Sequence, residues 1–86
     1  MYSIRFAHSA ACELEKIARI DGKLYSRLMA CIDSLKINPY QGKRLNGRLK
    51  GNFSVRVGDY RIIYTVDKGF LMVIIIDLGH RREVYR

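Results

Sequence analysis

Six consecutive apolar residues, Leu71 to Ile76 (L-M-V-I-I-I), lie near one end of an 86-residue chain, and they constrain the fold more than any other stretch. The run is too short to span a membrane. Bounded by Gly69 and Asp77, it reads as a strand from Phe70 to Asp77 with both faces covered, which is the signature of a central strand. Asp67-Lys68-Gly69 turns the chain into it, and Gly69 suits a position with positive φ. A central strand needs flanking strands and a covering layer, and the remaining residues must supply both.

Upstream, Tyr2 to Phe6 alternates well enough for a first strand, and His8 or Ser9 is the expected N-cap of a helix running to about Ile20. In that helix Ala10, Leu14, Ile17 and Ala18 form one stripe, and Cys12 points away from it. Asp21-Gly22 breaks the pattern. A second helix places Leu24, Leu28, Cys31, Ile32 and Leu35 on one face until Asn38-Pro39 ends it. Two such stripes make a helical hairpin that needs a sheet beneath it. Tyr40 to Asn52 carries three glycines among basic residues without sustained periodicity and reads as a charged loop. The expected order is β-α-α-β-β-β, an α+β fold in which residues 1–86 form one domain with a helical hairpin packed on a mainly antiparallel four-stranded sheet. The helix pair covers one face only. On the other, Met72, Ile74 and Ile76 or their alternates need a partner or form an exposed patch, a hint of an obligate binding partner.

Charge narrows the class of partner. Sixteen Lys and Arg oppose eight Asp and Glu, a net of +8. Residues 1–40 contribute only +2 of this, and residues 41–86 contribute +6. Between Lys43 and Arg61 six basic residues accompany one acid, Asp59, a field suited to a polyanion such as nucleic acid or an acidic protein. Cys12 and Cys31 are too few for a disulfide framework and lack zinc-ligand spacing, so both are read as reduced and structural. The N-terminal M-Y-S-I-R-F has no secretory profile, which points to the cytoplasm and away from a membrane.

Within the basic region, F-S-V-R-V-G-D-Y-R-I-I-Y (53–64) is two β-branched runs around Gly58-Asp59, the pattern of a two-residue hairpin. Val57 then pairs with Tyr60, and Arg56 lies opposite Arg61 on one face of the sheet. Like charges in that arrangement are unfavourable unless an anion sits between them, and phosphate is the first candidate. Tyr60 and Tyr64 alternate with Arg61 and belong to the core side. The terminal H-R-R-E-V-Y-R adds His80, Arg81 and Tyr85, which the end of a meander strand can bring near the hairpin. No carboxylate pair, Ser-His-Asp set, glycine-rich phosphate loop or metal-ligand cluster is present, so no cofactor and no metal are expected. Metal-free chemistry on RNA is feasible because the substrate carries its own nucleophile, the 2′-hydroxyl. Arginine balances charge on the phosphorane but cannot accept a proton at neutral pH. Proton transfer then falls to His80 or Tyr85, and Tyr85 has stacking on a base as its other role. Lys43, Arg44, Arg48 and Lys50 are expected to contact RNA or ribosome phosphates rather than perform chemistry.

The stretch L-N-G-R-L-K-G-N-F-S-V-R-V-G-D-Y-R-I-I-Y and the terminal H-R-R-E-V-Y resemble the RelE branch of the RelE/ParE toxin superfamily, and the resemblance spans nearly the whole chain. It implies a β-α-α-β-β-β toxin of a type II toxin–antitoxin pair that acts as a ribosome-dependent endoribonuclease on mRNA and inhibits translation. It also implies an acidic, partly disordered antitoxin that folds around the toxin and carries the complex to its own operator. By position, Arg61 and Arg81 match the arginines that stabilise the scissile phosphate, and Tyr85 matches the C-terminal tyrosine assigned to stacking or proton transfer. Where some relatives have two lysines, this chain has Ser54 and Arg56. That departure makes His80 the substitute candidate for proton acceptor. Two other readings share the sequence: a ParE-like toxin that inhibits DNA gyrase by binding, and a non-enzymatic nucleic-acid or protein-binding module.

Overall fold

The computed structural model describes residues 1–47 and 50–80. In chain order these form β1 (Ser3–Phe6), α1 (His8–Ile20), α2 (Gly22–Ser34), β2 (Lys43–Arg44), β3 (Phe53–Val57), β4 (Tyr60–Asp67) and β5 (Met72–His80). The strands make one five-stranded sheet in the order β1-β5-β4-β3-β2, with β1 parallel to β5 and every other pair antiparallel. The expected α+β fold and mainly antiparallel sheet are therefore observed. The strand count is five rather than four, because Lys43–Arg44 of the charged loop pairs with Ser54 and Phe53. Two residues are too few to leave a periodic trace in sequence.

The apolar run occupies an inner strand, as its composition requires. Val73 and Ile75 of β5 are fully buried on the helix side together with Ile62 and Tyr64 of β4 and Phe53 and Val57 of β3. Against them lie Ala10, Leu14 and Ile17 of α1 and Leu28, Ile32 and Leu35 from α2 and its C-cap. Each large aliphatic side chain so buried contributes about 1.5–3 kcal/mol, which is what joins the two layers. Ala18 lies on the exposed side of α1, outside the stripe expected to hold it. On the other face Met72 and Ile74 are half-buried, as is Ile76 nearby, so of the two alternatives, a partner or an exposed patch, these three positions do not form the patch. Large exposed apolar side chains stand instead at Phe70 and Leu71 in the β4–β5 turn, at Met1 and Phe6 on the β1 edge, and singly at Ile20, Ile37 and Tyr40.

Local chemistry explains the joints. Asp21 closes α1 with its backbone N–H on Ile17 and opens α2 by accepting from the Leu24 amide at 3.1 Å, so one residue caps two helices. The N-cap of α1 is Ala7, which has no side-chain bond to offer; the hydroxyl of Ser9 donates to the Ile76 carbonyl instead. Gly58 has φ +60 at the first central position of the β3–β4 turn, as a type II′ hairpin requires. In the β4–β5 turn the positive φ falls on Leu71 rather than Gly69, and the Asp67 carboxylate accepts from the Phe70 amide at 3.2 Å to hold the bend. Left-handed Leu71 offers its carbonyl to the Ser3 amide at 2.9 Å, which starts β1 beside β5.

One irregularity sets the layout of the open face. β4 and β5 pair in regular steps from Asp67↔Met72 to Tyr64↔Ile75, but the next pair is Ile63↔Asp77, leaving Ile76 as an extra residue. Such a bulge inverts the alternation beyond it. Leu78, not Asp77, thereby enters the core opposite Ile62, and Asp77 turns to the open face.

Candidate functional site

The face of the sheet opposite the helices is built by register. Arg56 on β3 pairs with Arg61 on β4, and Arg61 pairs onward with Gly79 on β5, where no side chain stands beside it. The next row runs Lys43, Ser54, Ile63 and Asp77 across β2 to β5. Period-2 alternation puts the side chains of both rows on the same side. Because Val57↔Tyr60 closes a two-residue turn, Arg56↔Arg61 is a non-hydrogen-bonded pair, the type with Cα atoms only about 4.5 Å apart.

The two guanidiniums have different partners. Arg56 folds toward the turn, its Nε donating to the Gly58 carbonyl at 2.9 Å. Arg61 leans the other way, with Nη1 3.5 Å from the hydroxyl of Ser54, which is only 2 % exposed. Arg61 is half-buried and Arg56 exposed. A phosphate drawn between the strands therefore meets Arg61 already seated on the sheet, and engages Arg56 only after its bond to the turn is released.

His80 is not part of this group. It pairs with Tyr60 and sits edge-on to that ring at 6.0 Å, on the helix side of the sheet and across it from Arg61. The bulge at Ile76 is the reason: unbroken alternation from Val73 would have brought His80 to the face of Arg61. The substitute proton acceptor read from sequence is thus misplaced. Arg48, Arg81 and Tyr85 lie outside the described residues.

The basic loop divides between the faces. Lys43 stands beside Ser54 on the arginine side. Arg44 lies opposite Phe53, its guanidinium 5.9 Å from the ring centroid, and with Lys50 it lines a separate pocket of about 360 Å³ closed by Leu45, Asn46 and Gly51 to Phe53. Arg27 of α2 was not foreseen; its guanidinium comes within 3.7 Å of where a Cβ on Gly58 would lie, carrying positive charge around the hairpin tip. No residue spacing announces that approach, since it joins Arg27 on α2 to a turn at Gly58, far along the chain.

Behind the face, Tyr64 is wholly buried. Its hydroxyl donates to the Pro39 carbonyl at 2.8 Å and accepts from the Gly42 amide at 3.0 Å. Its ring stacks on Phe53 at 5.5 Å, and Phe53 in turn meets the edge of Tyr40 at 5.7 Å. Burial pushes the Tyr64 phenol above its ordinary pKa, so it stays a neutral donor and acceptor. Among the described residues no group of three or more His, Cys, Asp or Glu converges to hold a metal ion, and no helix is long and apolar enough to cross a membrane.

The sequence model of the family described as "ParE toxin of type II toxin-antitoxin system, parDE" matches residues 4–85. Toxin RelG of Mycobacterium tuberculosis is 32% identical over 99% of this chain and 97% of its own. In the crystal structure of the RelBE2 toxin–antitoxin complex from the same organism, one chain superposes with a TM-score of 0.80 at 30% identity, covering 93% of this chain and 98% of that one. The isolated RelE toxin of E. coli shares the fold, with a TM-score of 0.80 over 99% of this chain and 92% of its own, at 22% identity.

Proposed function

As a member of the ParE toxin family of type II toxin–antitoxin systems, with relatives above 30% identity among the RelE-type toxins, this chain, we propose, is an endoribonuclease that cuts mRNA on the ribosome without a metal ion. The observation that carries the reading is the pairing Arg56↔Arg61 on the sheet face opposite the helices, with Ser54 beneath Arg61 and Lys43 paired with Ser54. Cations held on rigid strands suit a phosphodiester whose charge grows during attack by the 2′-hydroxyl. The 2′-oxygen bonds to phosphorus as the bond to the 5′-oxygen breaks: Arg61 stabilises the phosphorane, Arg56 closes on the phosphate from the turn side, and Arg81 and Tyr85 are proposed to complete the site from the C-terminal segment, Tyr85 carrying the proton from the 2′-hydroxyl to the departing 5′-oxygen. Arg44, Arg48 and Lys50 contact RNA or ribosomal phosphates. The toxin works as a single domain in the cytoplasm. Its partner is an acidic antitoxin that covers the basic surface and brings the complex to its operator.

The test is to map mRNA 5′ ends after brief induction of the wild type and of Arg61→Ala. Cleavage phased to codons, lost in the variant while antitoxin binding persists, is the expected result. The family match is to a ParE description, so gyrase inhibition by binding is the second reading. Growth arrest that survives Arg61→Ala, with DNA damage in place of phased ends, would establish it and end the nuclease reading.

A further inference from the structure

We propose that Lys43 is a third cation of the arginine site, and that the buried Tyr64 hydroxyl is the positioning group that puts it there. The inference rests on the RNA-binding reading above and deepens it. In sequence Lys43 belongs to a charged loop, where a lysine touches phosphate loosely if at all. In the fold it is the first residue of β2 and pairs with Ser54, whose hydroxyl lies against Arg61. Lys43 is thus one strand from Arg56 and two from Arg61, one row along the same face.

A two-residue edge strand has little of its own to fix it, so the position of Lys43 depends on the corner that delivers it. That corner is held from both sides. Gln41 ties it to the end of α2, its Nε2 donating to the Ser34 hydroxyl at 2.8 Å and the Asn38 carbonyl at 3.2 Å. Tyr64 ties it to β4 by spending its donor on Pro39 and its acceptor on Gly42, the residue immediately before Lys43. The fit admits only glycine: a Cβ at position 42 would meet the Tyr64 hydroxyl at 2.5 Å and the Ser54 carbonyl at 2.8 Å. One hydroxyl therefore sets how close β2 lies to the residues beneath Arg61. Groups that bind phosphate act through such supporting bonds, because a cation misplaced by an ångström loses most of its directed contact.

Tyr64→Phe removes only the oxygen and keeps the stack on Phe53, so it isolates the tie from the core. Wild type, Tyr64→Phe, Lys43→Ala and the double variant are compared, as full-length toxin, in cleavage of mRNA on programmed ribosomes and in salt-dependent binding of a short single-stranded RNA. The expected result is a rise in KM of about fivefold for either single variant with kcat little changed, corresponding to about one lost phosphate contact. The slope of log affinity against log salt should fall by about 0.7, and the double variant should be no worse than Lys43→Ala. Faster amide exchange at Gly42 and Lys43 in Tyr64→Phe reports the loosened corner directly. Gly42→Ala, which displaces the corner by another route, should reproduce the KM effect if Tyr64→Phe folds poorly. A Tyr64→Phe protein that melts lower yet keeps wild-type KM and salt slope would overturn the positioning role, as would additive losses in the double variant. Wild-type toxin that binds RNA but leaves it uncut refutes the nuclease reading alone, and the binding slopes then decide the fate of Lys43 and Tyr64.

Discussion

Replacing Arg61 by alanine should cost far more activity than replacing Arg56, although the two face each other in the hairpin. In-line attack by a 2′-hydroxyl converts a phosphodiester of one negative charge into a phosphorane with about one more. A guanidinium about 4 Å from that added charge, at an effective dielectric near 20, stabilises it by about 4 kcal/mol, or about 10³-fold in rate. Arg61, half-buried and seated against Ser54, is the cation assigned to that charge. Arg56 is exposed and turned toward Gly58; a cation that closes on the phosphate from the solvent side, about 8 Å from the added charge in water-like dielectric, contributes about 0.5 kcal/mol, a factor of two to three. Arg61→Lys keeps the charge but loses the fork, and an intermediate loss of about tenfold is expected. Single-turnover cleavage on programmed ribosomes measures all three, with antitoxin binding as the control for folding. If Arg56→Ala costs as much as Arg61→Ala, or if Arg61→Ala stays within tenfold of wild type, the assignment of the phosphorane to Arg61 is wrong.

Three further outcomes concern the scaffold. Ile75→Ala, at a fully buried position on an inner strand, should destabilise the domain by about 2–5 kcal/mol, read as a lower urea midpoint; a loss under 1 kcal/mol would mean that β5 is not the centre of the core. Asp21→Ala removes the bond to the Leu24 amide that begins α2 and should cost about 1 kcal/mol, with Asp21→Asn restoring most of it. Burial raises the pKa values of Cys31 and Tyr64, so the folded chain holds these protons more tightly than the unfolded one. The stability they contribute is complete below their unfolded values and drains as pH rises through the folded ones, so the urea midpoint should fall above about pH 9. Tyr64→Phe should flatten the upper part of that decline, and a midpoint level from pH 8 to 11 would contradict the burial of both groups.

Information in the chain is carried over short distances and lost over long ones. The β3–β4 hairpin was legible because its turn, its pairing and the opposition of Arg56 to Arg61 are fixed within twelve residues, by Gly58 and by period-2 alternation. The helical stripes were legible for the same reason, apart from Ala18. His80 was misplaced because a single extra residue, Ile76, shifts every side chain beyond it to the opposite face. Nothing in L-M-V-I-I-I distinguishes a strand with a bulge from one without. Asp77 is the one clue, since an acid at the next core position argues for such a shift. Lys43 and Arg44 looked like one basic cluster, yet a two-residue strand sends them to opposite faces.

The sequence by itself determined the two helices and the four longer strands, the layer that each helical stripe must bury, and the pair of arginines held across a tight turn. These follow from periodicity, turn chemistry and charge, which act over a few bonds. Tertiary structure alone decided that β1 runs parallel beside β5, that a bulge excludes His80 from the arginine face, and that a tyrosine hydroxyl ties the corner before Lys43 to the sheet. Those outcomes depend on which distant backbone groups find partners once the core has closed, and pairing of that kind leaves no mark on local sequence.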